Sequence, residues 1–351
     1  MAGNACGGLV DEGVRLFESG DFSGALDKFS RAVELCPDNV GATLWKGKAE
    51  LMAGRLDEAL ATLRGVLKVS EDPLVVVDAS FSLALGLFIY SFFSTDRRGR
   101  LQEASDYLSR AVMALRRAGD RGRPVEDLSK RMGADPDKLV RFLGGLIRAE
   151  LGDPNVKVDS EKGDLFQKIV GIYLDVKYEN WDCVLDRIYE ALFLTETSPG
   201  LDKPVRGLLR DFLYILLARV FGHNYLALDE SSAVQGVNPL PLTFDFWEEA
   251  MFAVRMASGH NVMRALAYLY AAKMYEAVRD VGQACAYYSR ILELFNAPVA
   301  REKVALLGCS PGSRAGKGMR EFGSRPHGSS TSLSDELGKL RYGGRGDSGG
   351  R

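Results

Sequence analysis

Few residues in this chain have the type and spacing that chemistry needs. Residues 308–312 (GCSPG) have the GxSxG spacing of a serine nucleophile. That motif works on a strand-to-helix turn, and the glycine-rich surroundings, with proline directly after Ser310, predict neither element. Residues 312–318 (GSRAGKG) approach the GxxxxGK[ST] spacing of a phosphate loop. Pro311 holds the place of the first glycine, however, and Gly318 replaces the metal-binding hydroxyl. His223, His260 and His327 lie far apart, with no HExxH run and no His/Cys cluster. The expectation is a protein with no metal, no cofactor and no catalytic constellation, and so no enzyme.

Charge is more informative than nucleophiles. The formal net charge of −2 points to no partner class. Its distribution is uneven: residues 97–148 carry thirteen Lys/Arg against seven Asp/Glu, and residues 299–351 carry ten against five. A mostly acidic body therefore bears a basic segment and a basic tail, which reads as a solvated face plus a disordered tail, or as contact with nucleic acid or an acidic partner. The five cysteines are scattered, with no CxxC pair. Such a set fits reduced thiols inside a cell. The first thirteen residues have neither a basic start nor an apolar run, so an intracellular location is expected.

The elements that must position any site repeat along the chain. Residues 20–32 (GDFSGALDKFSRA) and 54–66 (GRLDEALATLRGV) align at a separation of 34, pairing Gly20 with Gly54, Ala25 with Ala59 and Phe29 with Leu63. Gly13 and Gly47 keep the same separation upstream. The glycines at 20 and 54 suit a sharp turn between two helices. The alanines let those helices cross closely, and the larger residues fill the gap one turn later. One such hairpin cannot bury its apolar face alone, so the units must stack. Residues 99–111 (GRLQEASDYLSRA) carry the second-helix pattern again, residues 161–195 and 204–258 give more degenerate pairs, and residues 261–295 give a good late unit. Within 204–258, a loop is expected over 222–243, marked by Asn238-Pro-Leu-Pro. Residues 74–93 are nearly all apolar with one charge, Asp78, and are expected to be a buried central helix and not a membrane span.

With this period and these glycine, alanine and aromatic positions, the chain resembles the tetratricopeptide repeat family. The resemblance is most specific at 6–39, 40–73 and 261–295 and implies an all-α solenoid of helical hairpins. It also implies a concave groove lined by the first helix of each pair: Val10, Val14 and Phe17, then Leu44, Lys48 and Leu51. Family members that clamp the terminal carboxylate of chaperones use Lys and Asn at such places. Val10, Val14 and Trp45 stand here instead, so the expected ligand is an apolar or amphipathic segment of a protein or peptide partner.

Residues 125–146 interrupt the repeats. Gly133 would end one short helix, Asp135 would cap the next and Pro136 would take its first turn. Leu139, Phe142, Leu143 and Leu146 then form an apolar stripe. Residues 155–166 could add a small β-wing. This order resembles the winged helix of PCI domains and of DNA-binding proteins, and it would put Lys138, Arg141 and Arg148 against phosphate or base edges. A degenerate helical hairpin reads equally from these residues. The expected organisation is thus repeats over 6–118, a helix-turn-helix or degenerate hairpin over 124–166, further hairpins over 167–298, and a disordered tail over 299–351. A scaffold or adaptor that holds a protein partner, as a subunit of a larger assembly, is the expected function. A nucleic-acid-associated regulator is the alternative, and no membrane contact is expected.

Overall fold

The computed structural model describes residues 2–309, except 121–124, 157, 159–162, 182, 236–239 and 258–260. Contacts divide the chain into a unit of residues 1–315 and a second of residues 316–351, which lies outside the described residues. Among the described residues every regular element is a helix. The fold is all-α, as the repeat pattern requires.

The first four helices are α1 (Ala2–Ser19), α2 (Phe22–Leu35), α3 (Val40–Met52) and α4 (Leu56–Val69). Each pair turns on a left-handed glycine, Gly20 at φ 88° and Gly54 at φ 81°, a conformation other residues adopt at a cost. The two turns have the same wiring: Asp21 N–H donates to the Leu16 carbonyl, and Arg55 N–H to that of Glu50. Close crossing explains the upstream glycines. A Cβ on Gly13 would lie 2.6 Å from the Phe29 ring, and one on Gly47 would lie 2.8 Å from Leu63 Cγ. Phe17, Phe22, Phe29 and Trp45 bring their rings together between the two hairpins, with Phe17 and Trp45 centroids 5.3 Å apart.

The third hairpin joins α5 (Pro73–Ser91) to α6 (Arg97–Asp120). By length and composition α5 could cross a membrane, yet 78% of its apolar window is buried inside the protein. A helix apolar on all sides is what a core position demands. Next come α7 (Val125–Met132) and α8 (Pro136–Leu151), joined through Gly133 at φ 76°. Asp135 caps α8 through Oδ1, which accepts from Asp137 N–H at 2.9 Å. The helix-turn-helix form therefore exists here. The described part of the expected wing contains no strand, and residues 157 and 159–162 lie outside the described residues.

The remaining helices are α9 (Leu165–Lys177), α10 (Val184–Thr197), α11 (Lys203–Gln235), α12 (Leu240–Met256), α13 (Asn261–Ala277), α14 (Val281–Leu294) and α15 (Pro298–Leu306). Three expectations are corrected here. The loop expected over 222–243 is largely helix, because α11 continues to Gln235 and α12 starts at Leu240. Proline is tolerated in the first turn of a helix, where no N–H is needed, so Pro241 marks a helix start and not only a loop. The tail expected from 299 begins with α15, whose Ala300 is buried. Residues 299–309 hold seven apolar residues in eleven, a density that the average composition of 299–351 hides. Finally, Cys285 and Cys309 form a disulfide across 24 residues, with Cα atoms 5.6 Å apart. Scattered spacing did not exclude a pair that α14 and α15 bring together. Ser310, residues 312–318, His260 and His327 lie outside the described residues.

A plain solenoid makes contacts only between neighbouring units. This chain departs from that rule. Leu208 of α11 packs on the Phe17–Trp45 cluster, and Lys203 Nζ donates to the Ser19 carbonyl at 2.7 Å. At the other end Val299 N–H donates to the Phe93 carbonyl at 3.0 Å, and Phe93 meets Phe295 edge to face at 4.9 Å. The later helices fold back onto the first three hairpins.

Candidate functional site

Two cavities collect the residues singled out from the sequence. The first is interior. Phe17, Lys48 and Leu51 from the first helices of two repeats face the stripe Leu139, Phe142, Leu143 and Leu146 of α8, and Val205, Leu208 and Phe212 of α11. They enclose about 90 Å³. Five residues expected to line an open groove are therefore covered by the chain itself or nearly so: Leu44 and Leu51 are 1% and 3% exposed, Phe17 and Lys48 are buried, and Val14 is half-buried. Val10 is also half-buried and packs against the same cluster.

One ion pair crosses this interior. Lys48 Nζ lies 3.1 Å from Asp78 Oδ2 and donates to the Arg131 carbonyl at 2.5 Å. The same ammonium stands 4.2 Å from the centre of the Trp45 ring, a cation–π contact. Burial lowers the Lys48 pKa, and the Asp78 carboxylate opposes that shift. Asp202, at the start of α11, adds a second negative group, and burial raises its own pKa. The pair joins α3, α5 and α7, elements far apart in the chain. Reading the sequence missed Asp78 as a partner, although a lone acid in an apolar run has to find a cation when buried.

The second cavity is open to the outside, about 520 Å³ between α6, α8 and α9. Leu108, Val112 and Val170 give it an apolar lining, and Ser105, Ser109 and Gln167 a polar one. Along one side run Lys138, Arg141 and Arg148, all exposed on α8. Their spacing of three and seven puts them on one helix face. Lys138 lies 3.6 Å from Asp164, Arg141 pairs with Asp137, and Arg148 Nε donates to the Gly144 carbonyl at 3.3 Å. The three lie along one side of this groove, and two of them already face carboxylates. The α8 stripe that would support a DNA-reading helix is the wall of the interior cavity.

No group of three or more metal-ligating side chains occurs among the described residues. His223, the described histidine, stacks on Trp181 at 4.3 Å.

The repeated glycine turns, the close crossings over Gly13 and Gly47 and the stacking of the two hairpins give α1 to α4 the form of tetratricopeptide repeats. The tetratricopeptide repeat family model matches residues 10–73, the stretch from α1 to the start of α5. That segment belongs to the family. No curated protein matches the chain.

Proposed function

We propose that the protein is a non-catalytic scaffold, and that it holds a segment of a protein partner in the open groove between α6, α8 and α9. Tetratricopeptide repeats mediate protein–protein contact, which supports the class of function. The choice of surface rests on one contrast: the first-helix positions Leu44 and Leu51 are almost wholly buried, whereas the outer groove is open and large enough for side chains. A helical segment suits it, with apolar residues against Leu108, Val112 and Val170 and acidic residues beside Lys138, Arg141 and Arg148. Binding would exchange the pairings of Lys138 and Arg141 with Asp164 and Asp137 for pairings with the partner. Groups on that rim set on-rate and register more than affinity. In the alternative reading the partner reaches Val10, Val14, Phe17, Leu44, Lys48 and Leu51, and of these Phe17, Lys48 and Leu51 open only if α8 and α11 move.

Photo-crosslinking tests this. A crosslinking side chain at Ser109 or at Arg148 should trap the same partner from cell extract, and one at the exposed Glu34 should not. Val112→Glu should remove the adducts. Equal trapping from all three positions, or trapping only from positions on α1 and α3, would sink the proposed surface.

A further inference from the structure

A third cavity, of about 480 Å³, opens where the start of α6, the ends of α8 and α9, and the middle of α11 meet. Four cations line it: Arg97, Arg98, Lys177 and Arg219. Among the described residues the one carboxylate lining it is Glu150. Four positive charges and one negative leave a net +3 around this pocket.

The Glu150 side chain is 7% exposed and already engaged. It pairs with Arg97, lies 3.4 Å from Lys177 and accepts from the Tyr173 hydroxyl. Lys177 also donates to the Ala149 carbonyl at 2.5 Å. This shared carboxylate holds the two cations in place without neutralising the cluster. Arg98 is exposed and Arg219 is half-buried beside Tyr270, so both guanidinium groups keep donors for a ligand. A further cation stands close by. Lys273 keeps an exposed surface, yet partial desolvation by the surrounding helices, followed by the charges of Arg97 and Arg219, lowers its pKa.

The backbone adds to the same field. The first turn of a helix presents unpaired N–H groups and a partial positive charge, and acidic side chains are favoured there. Asp96 caps that turn, its carboxylate accepting from Gly99 N–H at 3.0 Å, and Arg100 pairs with Glu103 at 3.2 Å. Arg97 and Arg98 stand in the first turn itself, which holds no acidic residue, and the cations lining the pocket repel one another. An anion seated among them removes that repulsion, and arginine forks match the oxygen geometry of phosphate.

We propose that this pocket binds a small phosphate-bearing anion, held by Arg97, Arg98, Arg219 and Lys177 around the α6 start. Neither the repeat fold nor the partner groove requires such a site.

Inorganic pyrophosphate titrated calorimetrically into the full chain at low salt is the direct test, with vesicles containing phosphatidic acid as a parallel arm. Saturable binding in either arm supports the site, and the arm that responds tells free phosphate from a lipid headgroup. Arg98→Gln and Arg219→Gln should each weaken that binding about tenfold or more, the effect of one charge-assisted contact. Glu150→Gln should tighten it severalfold, because it removes the competing negative charge. A damaged fold would not tighten binding, so this variant separates the site from stability. Lys138→Gln and Arg141→Gln, in the other groove, should leave it unchanged. Absence of saturable binding in both arms, indifference to Arg98→Gln and Arg219→Gln, or capture of an acidic peptide in place of pyrophosphate would overturn the proposal.

Discussion

Gly133 shows how much one residue carries. Its φ of 76° is left-handed, its carbonyl accepts from Asp202 N–H at 2.9 Å, and a Cβ there would stand 2.2 Å from the Asp202 carboxyl. Gly133→Ala should cost roughly 1–3 kcal/mol from strain alone, read as a lower urea midpoint. The Lys48–Asp78 pair makes a second prediction at this scale. Asp78 Oδ1 has no hydrogen-bond partner and Oδ2 has Lys48. Lys48→Met should therefore lose about 3–5 kcal/mol, because it strands a buried charge. The double change Lys48→Met with Asp78→Leu should recover most of that loss in a thermodynamic cycle. A single variant as stable as the parent would mean that water reaches Asp78.

Among the elements, α15 and α11 decide the most. The α15 helix is held by the Cys285–Cys309 disulfide, by Lys303 paired with Glu276 at 2.9 Å, and by the Val299 bond to Phe93. A cross-link closing 24 residues contributes up to about 3 kcal/mol through loop entropy. Cys309→Ser should accordingly lower the thermal midpoint, and non-reducing peptide mapping of the parent should recover the two cysteines in one linked species. The α11 helix covers the first two repeats through Val205, Leu208 and Phe212. Leu51→Ala should then cost about 2–5 kcal/mol, the price of a core truncation and far more than an open groove residue would show.

The molecule as a whole closes its first repeats with its own later helices. Fragment 1–200 lacks α11 and should expose Phe17, Leu51 and Met52, which now face it. It should bind a hydrophobic dye strongly and associate, while the full chain does neither. A fragment that stays monomeric and dye-free would show the repeats to be independently finished.

Local order was legible because its causes are local. The 34-residue spacing, the glycines at 20 and 54, and the Gly13–Phe29 and Gly47–Leu63 contacts follow from steric rules that act within one hairpin. The same holds for the Asp135 cap and the α8 stripe. Periodicity marks which face of a helix is apolar, but not what covers it. Only the tertiary structure decided that α11 and α8 face Phe17, Lys48 and Leu51, that Asp78 answers Lys48, that Cys285 meets Cys309, and that four cations gather around Glu150. Each of these joins residues distant in the chain, and their meeting depends on how the hairpins stack and turn back, an outcome summed over many small packing terms that no single stretch of sequence contains.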